Sequence, residues 1–150
     1  VIRRAAGALV LRGGGVLLVH KVRVTGHPDG RRPVPGAWDL PKGGIVGAET
    51  VAEAALRELR EETGSDRYRV VRVLAERIVF AFDAATRAAT GWAGQETAMV
   101  LAEYLGDGSD LAPRDAEIDA VRFVPLAEAP TLLNHPETRA FLARAVPGVR

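Results

Sequence analysis

The hydrophobic positions of the chain alternate between two periods, and the switches mark the elements. "AAGALVLRGGGVLLVHKV" carries apolar residues in strand-like runs on either side of Gly13–Gly15, which predicts two strands around a glycine turn. "RVTGHPDGRRPVPGAW" breaks that pattern with glycines, prolines and charges and reads as a long loop over residues 23–37. "AETVAEAALRELREETG" changes to helical spacing. Thr50 and Glu53 form a T-x-x-E capping box and Gly64 stands where a C-terminal glycine ends a helix. Residues 68–82 are β-branched and aromatic and predict strand, as two segments. "DAATRAATGWAG" reads as a loop, "ETAMVLAEYLG" and "EIDAVRFVPL" as strands, "LAEAPTLL" as a short helix and "HPETRAFLARAV" as a terminal helix with Pro136 in its first turn. One helix between groups of strands argues against a repeating βαβ fold. The expected class is α/β in the α+β sense, a mixed β-sheet sandwiched between helices, in a single domain over residues 1–150.

On a helical wheel Val51, Ala52, Ala55, Leu56 and Leu59 share one sector of about 140° and are the expected core face. Glu58, Glu61 and Glu62 form a second stripe beside it, with Ala54 inside that stripe and Arg57 and Arg60 on its outer flank. Like charges at this spacing cost a helix a few tenths of a kcal/mol per pair, roughly, so something should offset them. A hard divalent cation would; Mg²⁺ takes oxygen ligands and is held by few carboxylates together with water and substrate phosphate. A solvated acidic face, with Arg57 partly pairing Glu61, would account for the same residues.

Composition narrows the setting. The chain has 150 residues, 47% hydrophobic and 26% charged, with a formal charge of +1 that gives no footing for bulk duplex DNA binding. It has no cysteine, so disulfides and thiolate metal sites are excluded and a reducing cytoplasm is the expected compartment. No apolar run is long enough to span a bilayer, and no basic-then-apolar leader is visible. His20, His27 and His135 have no spacing that suggests a metal site.

Residues 43–65 resemble the Nudix box, G-x5-E-x7-R-E-U-x-E-E-x-G-U with U aliphatic. Gly43, Glu49, Arg57, Glu58, Leu59, Glu61, Glu62 and Gly64 match, and Ser65 replaces the final aliphatic residue. The resemblance implies a Nudix fold and a pyrophosphohydrolase that uses Mg²⁺ or Mn²⁺ on a nucleoside diphosphate linked to a further group. It implies that Glu58, Glu61 and Glu62 are metal ligands, with the Lys42 backbone carbonyl completing the site. Arg57 then orients a catalytic glutamate, with Glu61 among the catalytic residues and the identity of the general base left open, and Glu49 braces loop and helix. Gly43 and Gly44 let the loop backbone approach the metals, and Gly64 closes the motif. "WDLPKGG" resembles the entry segment of many members, with Trp38 as a packing residue.

Downstream, "GQETAMVLAEYL" and "AEIDAVRFVPLAEA" resemble segments of the bacterial RNA pyrophosphohydrolase and dinucleoside polyphosphate hydrolase branch, with Met99 and Phe123 at two aromatic positions. This puts Glu117 where that branch carries a distal glutamate that reaches the metals or acts as base. Asp115, Glu117 and Asp119 also read as a solvated strand entry. Arg3, Lys21 and Gln95 are the substrate-binding candidates; for Arg3 and Lys21 plain surface charge is the competing reading. His27, Arg31 and Arg32 are further phosphate candidates, and Phe80, Phe82 and Tyr104 are base-stacking candidates or core. The implied substrate is a dinucleoside polyphosphate or a 5′-triphosphorylated RNA end. The alternatives are a nucleoside triphosphate pyrophosphatase that removes damaged nucleotides and a non-catalytic nucleotide-binding domain. Oligomeric state is left open.

Overall fold

A computed structural model describes residues 1–27 and 30–149, with side chains from 23 to 35 outside the description. The strands are β1 (Ile2–Arg12), β2 (Gly15–His27), β3 (Gly30–Asp39), β4 (Lys42–Gly44), β5 (Tyr68–Ala81), β6 (Gly94–Tyr104) and β7 (Ile118–Pro125). The helices are α1 (Val51–Thr63), α2 (Ala84–Thr90), α3 (Ala129–Leu132) and α4 (Pro136–Ala145), followed by a short 3₁₀ turn at Val146–Gly148. The sheet order is β3-β2-β1-β6-β5, with β4 also on β1 and β7 also on β2. Beside this antiparallel pairing, β1 and β6 run parallel from Ile2↔Gly94 to Val10↔Ala102, so the sheet is mixed.

The β1–β2 hairpin turns on Gly13 and Gly14 at φ 54° and 80°, a left-handed backbone that glycine adopts without strain. One face of the sheet packs α1, through Ala6, Ala8, Leu17, Ala54, Ala55, Leu59 and Val100. The other packs α3 and α4, through Leu9, Leu18, Leu40, Ile78, Met99, Leu133, Phe141 and Leu142. The sheet is thus sandwiched between helices as expected. Alanines on both sides of the α1 interface let the helix approach the sheet closely, and that brings its polar side chains against β4.

Three expectations change. The segment expected as a loop over 23–37 has strand backbone: β2 and β3 pair as a hairpin, with Arg23 opposite Pro33 and His27 opposite Gly30. Prolines are tolerated there because β3 is the last strand on its side of the sheet order. The expected loop after residue 82 contains α2, started by the Asp83 carboxylate on the Thr86 N–H and closed by Gly91 at φ 77°. Residues 68–81 form one continuous strand; a register shift between Val73 and Arg77 supplies the break that reads as two segments in sequence. Among the described residues no helix is long and apolar enough to cross a membrane.

Candidate active site

The capping box of α1 is complete: the Thr50 hydroxyl accepts from the Glu53 N–H at 3.1 Å and Glu53 returns the bond to the Thr50 N–H at 2.9 Å. At the other end Gly64 adopts φ 81°, and a Cβ there would overlap the Ala112 carbonyl. The buried face between these caps is rotated from the expected one. Ala54, Ala55, Glu58, Leu59 and Glu62 are buried while Leu56 is exposed. Two carboxylates therefore lie on the inward face and Ala54 packs against the sheet, because the helix turns Ala54, Ala55 and Leu59, not Leu56, toward β1.

Arg57 organises the loop side. Its Nε and Nη2 donate to the two oxygens of Glu49 at 2.7 and 2.9 Å, Nη2 also to the Gly44 carbonyl at 2.8 Å, and Nη1 to Glu58 Oε1 at 2.7 Å. Nη1 stands 3.5 Å from Glu61 Oε2. These bonds, led by Glu49, raise the Arg57 pKa further and lower that of Glu49. Gly43 is tightly enclosed: a Cβ on it would overlap the Glu58 carboxylate, and one on Gly44 would meet the Arg3 guanidinium. Arg3 in turn donates to Gln95 Oε1 at 2.7 Å, the two being cross-strand partners on β1 and β6. Arg3 and Gln95 are thus brought together, and close to the box.

The inner side is more deeply buried. Glu62 is 1% exposed; its Oε1 accepts the Lys42 N–H at 3.0 Å. Burial pushes the Glu62 carboxyl up to about 8 against the opposing charge of Lys21. Glu58 is raised by burial too, with Arg57 working against the rise. Glu117 precedes β7, its carbonyl accepting the Val22 N–H at 2.8 Å, and its Oε1 is buried with no hydrogen-bond partner.

Two lysines share one acid here. Asp39 Oδ2 lies 3.2 Å from Lys42 Nζ and 3.8 Å from Lys21 Nζ. Burial alone would raise Asp39, but Lys42 and Lys21 outweigh it and its pKa is lowered. Burial lowers Lys42; at Lys21 it is outweighed by Glu62, Asp39, Glu117 and Glu58, and the pKa is raised. The Lys42 ammonium sits 4.6 Å from the Phe80 ring centre, and Phe80 meets His135 edge-on at 5.6 Å. Asp39, Lys42, Phe80 and His135, with Gln95 and Asp83, line a cleft of about 320 Å³.

The sequence points to the backbone carbonyl of Lys42 but carries no signal that draws its side chain, Asp39 and His135 to one cleft. The Asp39–Lys42 spacing in "WDLPKGG" was visible, but an acid and an amine three residues apart point to no common side without the β3–β4 turn. Trp38 does pack, with its backbone bridging Leu133 and its ring 4.9 Å from that of His20. Ser65, at the one departure from the box, is buried and donates to Asp110 at 2.5 Å, so a hydrogen bond replaces an apolar contact. Tyr104 packs in the α1 core, away from the cleft lining. The phosphate candidates His27, Arg31 and Arg32 have side chains outside the described residues.

The donor set suits a hard divalent cation. Glu58, Glu61, Glu62 and Glu117 offer only carboxylate oxygens, and two of them have charges that burial disfavours and that a cation would offset. As they stand, no three acidic or histidine side chains among the described residues form a ready metal cage. Instead Arg57 bonds Glu58 and stands 3.5 Å from Glu61, the Lys42 N–H bonds Glu62, and Glu117 Oε1 is left without a hydrogen bond.

The NUDIX domain family model matches residues 1–145. An RNA pyrophosphohydrolase of Gluconacetobacter diazotrophicus is 33% identical over 135 residues, 85% of this chain and 80% of that protein. An 8-oxo-(d)GTP phosphatase of Mycolicibacterium smegmatis is 32% identical over 95% of this chain, which spans only 41% of that protein. Among solved structures, a NUDIX hydrolase from Nitrosomonas europaea superimposes with a TM-score of 0.75 at 16% identity, covering 100% of this chain and 92% of that one. A C. elegans Ap4A hydrolase binary complex gives 0.68 at 18%, covering 98% and 97%.

Proposed function

The chain belongs to the Nudix family of hydrolases acting on phosphoric anhydride bonds, and from that premise we propose that it cleaves the pyrophosphate linkage of a 5′-triphosphorylated RNA end or a dinucleoside polyphosphate with Mg²⁺ or Mn²⁺. Glu58, Glu61, Glu62, Glu117 and the Lys42 carbonyl would hold the metal, which when bound neutralises the phosphate chain and activates water. Glu61 or Glu117 takes the proton of the attacking water, whose oxygen joins phosphorus as the bridging P–O bond breaks and the leaving phosphate departs with the electron pair. Arg57 holds Glu58 and Glu61 in place through its bonds to Glu49 and Gly44. Arg3 and Lys21 meet phosphate oxygens. The cleft beside Phe80 and Gln95 receives the nucleoside, with Phe80 offering a ring face.

The observation that carries this reading is the buried pair Glu58 and Glu62, two carboxylates on the inward face of a helix, whose ionised forms are costly without a cation. The relatives named RNA pyrophosphohydrolase, at 33% and 32% identity, favour the RNA end. The 8-oxo-(d)GTP phosphatase relative favours the second reading, a nucleoside triphosphate pyrophosphatase.

The test is phosphate or pyrophosphate release with Mg²⁺ from triphosphorylated RNA, diadenosine tetraphosphate and each free triphosphate, including the 8-oxo forms. The RNA end or the dinucleotide should show the highest kcat/KM; a free triphosphate ahead of both would establish the second reading. Glu62→Gln should reduce turnover by about 1,000-fold or more while the circular dichroism and melt stay native-like. Undiminished turnover in that variant would refute the metal assignment.

A further inference from the structure

Lys21 sits among the acids as a cation the chain itself provides. It lies on β2 four residues from Leu17, a core residue of the sheet face that α1 covers. The β2–β7 ladder shifts register between His20 and Lys21, and this shift places the Glu117 carbonyl on the neighbouring Val22 N–H at 2.8 Å. The side chain is 21% exposed, and its ammonium approaches Asp39 Oδ2 only to 3.8 Å, an ion pair without a hydrogen bond.

The other cations at the site have nearer partners. Lys42 is closer to Asp39, at 3.2 Å, and faces Phe80, its buried Nζ likewise without a hydrogen bond. Arg57 is bound to Glu49, Gly44 and Glu58. Lys21 shares Asp39 with Lys42, whose N–H bonds Glu62 at 3.0 Å, and from there it is the foremost favourable charge on Glu62 and also acts on Glu58. A compact ammonium on a flexible stem can change partners as a guanidinium held by several bonds cannot.

We propose that Lys21 is an internal counter-cation of the acid cluster, neutralising Glu62, Glu117 and Asp39 when no metal is bound and competing with the divalent cation for the same carboxylates. The inference rests on the reading of those glutamates as metal ligands and goes beyond it. Metal loading then includes the release of one ammonium, which becomes available to a phosphate oxygen of the substrate. Lys21 thereby sets the metal affinity of the substrate-free protein and keeps the buried acids from destabilising the fold before metal arrives. A Lys21 that only contacts phosphate would leave metal binding in the absence of nucleotide untouched.

Mn²⁺ binding without nucleotide, followed by the electron paramagnetic resonance of the free ion, tests this on wild type, Lys21→Met, Lys21→Arg and Glu62→Gln. Lys21→Met should bind Mn²⁺ about tenfold more tightly than wild type, because a neighbouring positive charge is gone. Its metal-free form should melt at a lower temperature and gain more from added Mn²⁺, while Lys21→Arg stays near wild type. Equal or weaker Mn²⁺ binding by a folded Lys21→Met overturns the inference. A wild type that takes up no Mn²⁺, or a Glu62→Gln that binds as well as wild type, sinks the metal reading and this inference with it. Should Lys21→Met fail to fold, the ¹⁵N resonance of the Lys21 ammonium in wild type, assigned by its loss in Lys21→Arg, gives the answer. Saturating Mg²⁺ should move it, and an unmoved resonance overturns the proposal.

Discussion

The outer and inner sides of the acidic stripe on α1 are held by different kinds of cation. On the outer side a planar guanidinium bonds Glu49 bidentately and adds the Gly44 carbonyl and Glu58, all at 2.7 to 2.9 Å. Such a fork fixes the angle between loop and helix. On the inner side Glu62 has one backbone hydrogen bond and the charge of an ammonium that lies 3.8 Å from its nearest ion-pair partner, Asp39. The inner side is the more deeply buried, with Glu62 1% exposed against 21% and 22% for the Arg57 and Glu49 side chains, but depth is not the main contrast. The difference lies in how many directed bonds each cation makes. The arginine side is scaffold, and the lysine side is charge that can be exchanged.

Removing the scaffold should do the most damage. Arg57→Ala leaves Glu49 and Glu58 without their shared donor and should cost about 1–3 kcal/mol of stability together with about 100- to 1,000-fold in kcat/KM. Arg57→Lys should recover little of either, since an ammonium cannot bond Glu49 bidentately. A melt and steady-state rates check both; a stable, active Arg57→Ala would erase the contrast between the two sides.

Gly43→Ala comes next. The three atoms its methyl group would meet most closely all belong to the end of the Glu58 side chain, which is able to swing aside. The expected outcome is a nearly native melting temperature with turnover down about 100-fold, from a ligand displaced by roughly 1 Å. A large fall in stability instead would show that Glu58 is as rigidly held as Arg57.

The smallest effect is at Asp110, remote from both sides, where hydrogen bonds from Ser65 and Tyr104 hold the carboxyl below its usual 3.8. A depressed pKa contributes stability above the unfolded value and loses it as pH falls through the folded value. Asp110→Asn should therefore flatten the decline of stability below about pH 3.8 and leave turnover at neutral pH unchanged. A neutral-pH rate that fell with it would tie the end of α1 to the acid cluster.

The sequence made α1, its caps and the box legible because each is a local pattern: the capping box, the αL glycine and the acid spacing lie within one short segment. The sandwich order followed from the count of periodic elements. The inward rotation of Glu58 and Glu62 was not legible, because a helical wheel ranks leucine above alanine for burial while close packing on Ala6 and Ala8 favours the alanines. Nor was the Asp39–Lys42–Lys21 grouping, which needs a β-hairpin and a turn to converge. The helix after Asp83 was hidden by its neighbours Gly91 and Gly94, which read as loop until the αL cap is seen. Arg3 and Gln95 were named separately on family likeness, and only parallel pairing of distant strands makes them partners.

That parallel pairing also orders how the molecule can assemble. From Ile2 to Val10 β1 needs β6, which ends at Tyr104, whereas its link to β2 is confined to the turn end at Leu11↔Val16 and Arg12↔Gly15. During synthesis β1 must therefore wait for β6 to complete its pairing, with only β4 at Ala5–Gly7 and the turn end of β2 available earlier. The alanines and glycine that later let α1 settle on it also make it a poor template for sticking to other nascent chains in the meantime.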